Sequence, residues 1–153
     1  MLAPRADLDQ QATKNAITSF RFYLSEYPTS PRASECQQII TELSDRLVEK
    51  SYNSAKLYYD LGYYKSAIIA LRNSITEHPD TRYREDILFL ILRSSFLLAD
   101  NSVASKRKER LQSAMDEYLS FISEFPESQY IKDAERIYKN TQRELDLYTS
   151  NDL

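Results

Sequence analysis

The chain of 153 residues contains one glycine, one cysteine, one histidine and no tryptophan. Because tight turns and hairpins favour glycine, this scarcity argues against a sheet-rich fold and favours an all-α protein. The single cysteine excludes an intrachain disulfide and a cysteine-based zinc site. With one glycine there is also no phosphate-binding loop and no dinucleotide-binding fingerprint.

Residues suited to catalysis are equally sparse. His78 is followed directly by Pro79, so it is predicted to be a solvent-facing residue at a helix end, with no Ser/His or Cys/His constellation around it. Acidic residues are interspersed with lysine and arginine, as on solvated helix faces; a pair of catalytic carboxylates is the weaker interpretation. The sequence therefore predicts no enzyme activity, no cofactor and no metal.

The charge pattern gives no strong attraction to nucleic acid or membrane, because 28% of the residues are charged but the net charge is only −3. The basic run 106–110 is interpreted as the solvated start of a helix, the alternative being a site for nucleic acid or anionic lipid. The apolar run 87–92 is too short to span a bilayer. Cys36 is interpreted as a small core residue, the alternative being a reactive thiol.

One phrase occurs three times in the chain. An alanine is followed four residues later by a large apolar residue, and twelve residues later by a proline. The alanine and the large residue then share a helix face, and the proline ends the helix. The copies run from Ala16 to Pro28, from Ala67 to Pro79 and from Ala114 to Pro126. Self-similarity of this kind predicts a helical repeat protein that acts as a binding scaffold.

Apolar spacing and helix breakers predict helices throughout. The predicted bounds are 7–26, 31–61, 64–77, 83–98, 104–124 and 129–148. The second helix is long because no breaker occurs before Gly62, and Ser30 is its predicted N-cap. Residues 1–153 are predicted to form a single repeat domain. Within it, 1–6 is interpreted as an artificial start, 150–153 as a frayed tail, and the incomplete first repeat as the sign of a longer protein.

The middle copy resembles the tetratricopeptide repeat, through the pattern Ala55-x2-Tyr58-x3-Gly62-x-Tyr64-x2-Ala67-x3-Leu71-x7-Pro79. This resemblance implies a short right-handed solenoid, in which small residues let paired helices approach and Tyr58 and Tyr64 fill the gaps. Two departures are evident. Extra residues precede the second repeat and give the long helix near 31–61, and the helix-turn region of the third unit is stretched over 102–109.

Other phrases resemble the BamD family of outer-membrane lipoproteins, which belong to the β-barrel assembly machinery and consist of tetratricopeptide-like repeats. They are Tyr-Pro-x-Ser at 27–30, Phe-Pro-x-Ser-x-Tyr-x-x-Asp-Ala at 125–134, and Asp45-Arg-Leu47 leading to Ala55-x2-Tyr-Tyr59. The resemblance covers roughly 7–145 and is to the C-terminal three repeats. It implies a non-catalytic scaffold at the periplasmic face of the outer membrane that docks a periplasmic domain of the barrel-forming subunit. It also implies membrane contact only through an N-terminal lipid, for which Cys36, inside a predicted helix, is not the attachment site.

In tetratricopeptide folds the first helix of each pair lines a concave groove. By the register of the middle repeat, the residues predicted to face that groove and bind a protein partner are Glu49, Tyr52, Lys56, Tyr59 and Asp60. The alternative for Tyr52 and Tyr59 is that neighbouring helices cover them. The last two helices, around Tyr118 and 130–138, are a second candidate surface.

Two other functions remain open from the sequence. One is a generic adaptor that binds a peptide in its groove, in any compartment. The other is the helical scaffold of a nutrient-uptake lipoprotein, a class that usually carries long loops rich in glycine, asparagine and tryptophan; this sequence has no such loops.

Overall fold

The computed structural model describes residues 6–151, and all regular secondary structure in that range is helical. The helices are α1 (Ala6–Glu26), α2 (Ala33–Asp60), α3 (Tyr64–Glu77), α4 (Arg84–Asp100), α5 (Ala104–Glu124) and α6 (Ile131–Asn151). The predicted all-α repeat fold is confirmed, and α3 and α5 have the predicted bounds. Helix α6 continues to Asn151, beyond its predicted end. Of the interpreted start and tail, residues 1–5 and 152–153 lie outside the described part.

The same turn follows α1, α3 and α5. Each of its prolines lies two residues beyond a helix end, as predicted. The second residue after each proline carries a side-chain hydroxyl. Its oxygen accepts a hydrogen bond from the backbone N–H two residues later, with N···O distances of 3.2, 3.2 and 3.0 Å in the three copies. The three hydroxyl residues are Ser30, Thr81 and Ser128. Each satisfies an N–H at the start of the next helix, which explains the hydroxyl residue at the end of every copy.

The chain forms two compact units, residues 1–51 and residues 52–153, and α2 contributes to both. In the first unit the buried apolar residues are Ile17, Cys36 and Ile40. The predicted core position of Cys36 is therefore confirmed. The hydroxyl groups of Tyr23 and Ser30 are hydrogen-bonded at 2.8 Å, which ties α1 to the turn that follows it.

An open cleft of about 340 Å³ lies between α1 and α2 in the first unit. Its apolar lining includes Phe20, Cys36 and Ile39. The equivalent residues of the next repeat are Leu71, Ile87 and Leu90, which are buried in a core cluster that Tyr52 and Ala55 complete. The three positions are apolar in both copies. In the second copy they pack against Tyr52 and Ala55, whereas in the first they line the cleft.

The first core cluster of the second unit joins the end of α2 to α3 and α4. Its buried members are Ala55, Ala67, Leu71, Ile87, Leu90 and Ile91. Ala67 is 0% exposed, so its predicted burial is confirmed. Small side chains at such positions let helices approach closely, and the larger neighbours fill the space between them.

The second core cluster joins α4, α5 and α6. Its buried members are Phe89, Leu92, Phe121, Ala134 and Ile137. The ring of Tyr130 stacks on the ring of Phe89 with 4.3 Å between centroids. The ring of Phe121 also contacts Phe89, with 5.8 Å between centroids. Because α4 contributes to both clusters, it is apolar on two sides, which accounts for the uninterrupted apolar run 87–92.

Ion pairs connect the helices of the second unit at its surface. Arg72 on α3 pairs with Glu117 on α5, and Arg84 on α4 pairs with Glu124 on α5. Arg107 on α5 lies 2.8 Å from a carboxylate oxygen of Glu144 on α6. The stretched segment of the third repeat is thus largely helical, and one cation of the basic run fastens α5 to α6.

Candidate interaction surfaces

Tyr52 is the first aromatic residue of the predicted groove set, and it is half-buried. Its ring stacks on Tyr83, just before α4, with 4.4 Å between centroids and 7° between ring planes. Burial raises the pKa of Tyr52, and the nearby negative charge of Asp86 raises it further. The ring therefore supports the first core cluster, and only part of it remains available to a partner.

Tyr59 lies two helical turns further along α2 and is also half-buried. The guanidinium carbon of Arg93 lies 5.8 Å from the centroid of its ring, a cation–π contact, and the ring of Tyr64 lies at 5.9 Å. Burial raises the pKa of the Tyr59 hydroxyl, and the positive charge of Arg93 partly offsets that rise. Helices α3 and α4 of the same unit thus cover much of this side chain.

The charged members of the groove set remain at the surface. The Lys56 Nζ atom lies 2.8 Å from an Asp60 carboxylate oxygen, one helical turn away. A pair this exposed contributes little to stability. Glu49, in the first unit, is exposed. Partner binding by these residues stays a prediction.

The packing role predicted for Tyr58 is wrong. Tyr52, Ala55 and Tyr59 face the core, at helical spacings of three and four. Tyr58 is about 100° away from Tyr59 around the helix, and 45% of its surface is exposed. The tetratricopeptide alignment assigned the aromatic packing position to the first residue of the Tyr-Tyr pair, whereas the second one occupies it.

Exposed apolar side chains therefore lie at the C-terminal end of α2 and in the turn that follows it. They include four large side chains that we call the apolar corner: Leu57, Tyr58, Leu61 and Tyr63, which are 56%, 45%, 59% and 61% exposed. The spacing of Leu57, Tyr58 and Leu61 was visible in the sequence. The tetratricopeptide pattern assigns Tyr58 to the interior, so that pattern alone does not predict this exposed stripe.

The backbone at this corner is a Schellman motif, which follows the end of α2 at Asp60 and has Gly62 as its left-handed residue. The N–H of Tyr63 donates to the carbonyl of Tyr58 at 2.9 Å, and the N–H of Gly62 donates to the carbonyl of Tyr59 at 2.9 Å. Gly62 has a φ of 80°, which residues with a side chain rarely adopt. The exposed side chains of the corner are thus attached to a well-defined turn.

The C-terminal tyrosines are partly buried and serve mainly to join helices. The Tyr130 hydroxyl donates to the Asp86 carboxylate, and this bond, aided by burial, raises the pKa of Tyr130 to about 12. Tyr118 and Tyr138 stack at 4.5 Å. Lys132, Glu135, Arg136 and Lys139 are exposed polar residues of α6, and Leu147, further along the helix, is 64% exposed.

In residues 6–151 no group of histidine, cysteine and acidic side chains has an arrangement that would hold a metal ion. Over the same part of the chain, no helix combines the length and the apolar character needed to cross a membrane. His78 is the C-cap residue of α3, so its predicted place at a helix end is confirmed.

Comparison with known proteins identifies the family. The model of the YfiO family, described as an outer membrane lipoprotein, matches residues 2–111. The chain belongs to the YfiO family. The predicted resemblance to BamD-like lipoproteins is thereby confirmed, although the match ends at residue 111, short of the predicted extent to Leu145.

A curated relative agrees with this assignment. The chain is similar to the outer membrane protein assembly factor BamD of Vibrio cholerae serotype O1 (strain ATCC 39315 / El Tor Inaba N16961), with 27% identity over 108 residues. The alignment includes 71% of this chain and 45% of the relative. The chain thus spans about half the length of the curated relative that it matches.

Some of the surfaces described above lie within the YfiO family match and others lie beyond it. The groove set and the apolar corner, which end at Tyr63, lie within residues 2–111. All of α6 and most of α5 lie beyond that range.

Proposed function

We propose that this chain is a non-catalytic scaffold of the outer-membrane β-barrel assembly machinery, and that it docks a periplasmic domain of the barrel-forming subunit. The family match over residues 2–111 carries the proposal. The name of the Vibrio cholerae relative, an assembly factor, supports it. The place of action is then the periplasmic face of the outer membrane, with attachment through an N-terminal lipid.

The architecture suits such a role. Stacked helical repeats expose a large surface relative to their core, and they recognise partners without chemistry. The ion pairs between Arg72 and Glu117 and between Arg84 and Glu124 join successive helices and hold the surface of the second unit in one shape. Binding by such a scaffold needs little ordering of the free protein.

The test is a titration of the purified chain with the purified periplasmic region of the barrel-forming subunit from the same organism, followed by calorimetry. We expect saturable binding with one-to-one stoichiometry and a negative heat-capacity change, because apolar surface is buried. The periplasmic region of an unrelated outer-membrane protein serves as the control. Absence of binding to the cognate region by the folded chain contradicts the proposal.

A second candidate function, an adaptor that binds an extended peptide in its groove, is supported by the exposed part of the Tyr52–Tyr83 stack. In the second unit the proposed contacts are Tyr52, Lys56, Tyr59 and Asp60. In the first unit the proposed contact is Glu49. Since both tyrosines support the core, Lys56→Ala combined with Asp60→Ala is the cleaner test. The adaptor function predicts that this pair of changes weakens binding of unfolded barrel peptides, whereas docking of a folded domain elsewhere is unaffected.

A further inference from the structure

A cavity of about 160 Å³ lies between α4 and α6 in the second unit. Its apolar lining includes residues of the second core cluster, namely Phe89, Phe96 and Ile137. Its polar lining consists of Arg93, Asp133, Arg136 and Asn140. Sites for drug-sized ligands have roughly 300–1,000 Å³. This cavity therefore has the size for a single small ring and is too small for an extended peptide.

Two equivalent ring stacks show which helices correspond in successive repeats. Tyr83, just before α4, stacks on Tyr52 of α2 with 4.4 Å between centroids. Tyr130, just before α6, stacks on Phe89 of α4 with 4.3 Å between centroids. The pair formed by the end of α2 and α4 is thus repeated by the pair formed by α4 and α6.

The cavity lies where these two helix pairs differ. Seven residues after the stacked ring of the earlier helix, both pairs have an aromatic residue, Tyr59 in the first pair and Phe96 in the second. Ten residues after the stacking tyrosine, the first pair has Arg93 and the second has Asn140. The Arg93 guanidinium reaches the Tyr59 ring, with 5.8 Å to its centroid. Because the Asn140 side chain is shorter than an arginine, space remains beside Phe96.

The arginine that borders the cavity differs from others in the second unit. Three of those pair with carboxylates on other helices or in the same network: Arg72, Arg84 and Arg107. Within residues 6–151 no carboxylate pairs with Arg93, whose contact is the Tyr59 ring. Its hydrogen-bond donors are therefore available to a ligand, and the aromatic ring helps to hold the guanidinium in place.

The α6 side of the cavity offers both hydrogen-bond donors and acceptors. The Arg136 guanidinium lies 2.7 Å from a carboxylate oxygen of Asp133, and both side chains are largely exposed. The amide group of Asn140 can donate as well as accept. Two guanidinium groups and one carboxylate leave one positive charge in excess, which favours a ligand that carries a negative charge.

The chemistry of this lining restricts the ligand. A bare anion would be repelled by Asp133, whereas a ligand with hydroxyl groups also supplies donors to that carboxylate. A ring with hydroxyl groups at its edge and C–H groups on its faces can satisfy the polar lining and pack on Phe96 at the same time. Sugars have this combination, and a sugar acid adds the negative charge.

We propose that the cavity between α4 and α6 binds a sugar residue that carries a carboxylate group. The carboxylate accepts hydrogen bonds from Arg93 and Arg136, the hydroxyl groups meet Asp133 and Asn140, and a face of the ring packs on Phe96. The site is independent of the docking function proposed above, because no partner protein takes part in it.

The experiment is a titration of the folded chain with D-glucuronic acid, followed by amide NMR spectra. We expect saturable shifts at positions 93, 136 and 140. Glucose, which lacks the carboxylate, and acetate, which lacks the hydroxyl groups, should each bind about tenfold or more weakly, because charge-assisted or neutral hydrogen bonds are lost. Methyl glucuronide has its anomeric oxygen blocked, as in a glycan chain, and distinguishes a chain end from a free sugar acid.

Three variants test the location of the site. Asn140→Leu places an apolar side chain in the cavity, and Arg93→Gln removes the guanidinium that has no carboxylate partner. Each should weaken binding of glucuronic acid by about tenfold or more. Lys139→Gln is the matched control on α6, since Lys139 is exposed and does not line the cavity. Thermal unfolding verifies that every variant is folded.

The outcomes separate the parts of the proposal. Binding of glucuronic acid with or without binding of its methyl glycoside supports it, and the difference identifies the source of the sugar. Equal affinity for acetate overturns recognition of a sugar, and equal affinity for glucose overturns recognition of the carboxylate. Absence of shifts at the three positions, or equal weakening by Lys139→Gln, overturns the site. None of these results affects the docking function, which is measured with a partner protein.

Discussion

Tyr58 and Tyr59 are adjacent in the sequence, but about 100° around α2 separates an exposed side chain from a half-buried one. Tyr59 packs against the first core cluster, under Arg93 and beside Tyr64. Tyr58 is 45% exposed and belongs to the apolar corner. The 100° step between neighbouring helical residues places one tyrosine against the core and leaves the other exposed.

Replacement of the two tyrosines should therefore have unequal effects on stability. We expect Tyr59→Ser to reduce the free energy of unfolding by about 2 kcal/mol, because it removes a packed aromatic ring and its contact with Arg93. Tyr58→Ser should change it by less than about 0.5 kcal/mol, as is usual for exposed positions. Urea unfolding followed by circular dichroism measures both. Equal losses in the two variants would mean that the orientation of α2 is misassigned.

The sequence was sufficient to predict the helices because their signals are local. The same signals recur at Pro28, Pro79 and Pro126. Each proline follows a helix with regularly spaced apolar residues, lies two residues beyond its end, and is followed two residues later by a hydroxyl side chain. The side of α2 that faces the core depended on tertiary packing. Tyr58 and Tyr59 are chemically identical, so no property of either residue alone distinguishes the buried one.

Ala67 tests the close approach of helices in the first core cluster. We expect Ala67→Leu to lower the free energy of unfolding by about 1–3 kcal/mol, because the site has no space for three more carbon atoms. The adjacent Ser66 is exposed, so Ser66→Leu serves as a control and should leave the denaturation midpoint nearly unchanged. An unaltered midpoint for Ala67→Leu would show that the repeat register is wrong.

Gly62 tests the turn that orders the apolar corner. A Cβ atom added at this position meets no atom within 4 Å, so steric collision is not the obstacle. The cost of Gly62→Ala should come from the backbone φ of 80°, and we expect it to be about 1 kcal/mol. Gly62→Asn should be milder, since asparagine tolerates this conformation better. A stabilising Gly62→Ala, measured by urea unfolding, would contradict the Schellman motif.

Tyr130 gives a prediction for alkaline pH. Its pKa in the folded chain is raised to about 12, above the unfolded value of 10.0, because the hydroxyl donates to Asp86. Above the unfolded pKa the unfolded chain releases this proton first, so the contribution of Tyr130 is complete below about pH 10 and is lost as the pH rises through the folded pKa.

The matched comparison is Tyr130→Phe, which keeps the stacked ring but removes the hydroxyl. Wild type should lose more stability than Tyr130→Phe between pH 10 and pH 12. Below about pH 9 the two curves of unfolding free energy against pH should run parallel, because Tyr130 does not titrate there. Chemical unfolding at a series of pH values measures the difference. Parallel curves over the whole range would show that the bond to Asp86 does not form.

The binding surface was less predictable than the fold, and the reason is physical. The groove set consists of positions that the repeat pattern does not assign to packing, but Tyr52 is stacked on Tyr83, which lies 31 residues away in the sequence. Leu57, Tyr58 and Leu61 have the spacing of neighbours on a helix surface, which is visible in the sequence. Whether they are exposed depends on which side of α2 packs against α3 and α4. Periodicity identifies stripes, and only packing decides which stripe is buried.

The most direct test of the account is site-specific photo-crosslinking in the bacterial envelope, with a photoreactive amino acid at position 58, at position 119 or at position 139. The account predicts a covalent adduct with the barrel-forming subunit from at least one of these exposed positions. Absence of such adducts from all three positions, with the chain folded and present at its normal level, would contradict the docking function itself.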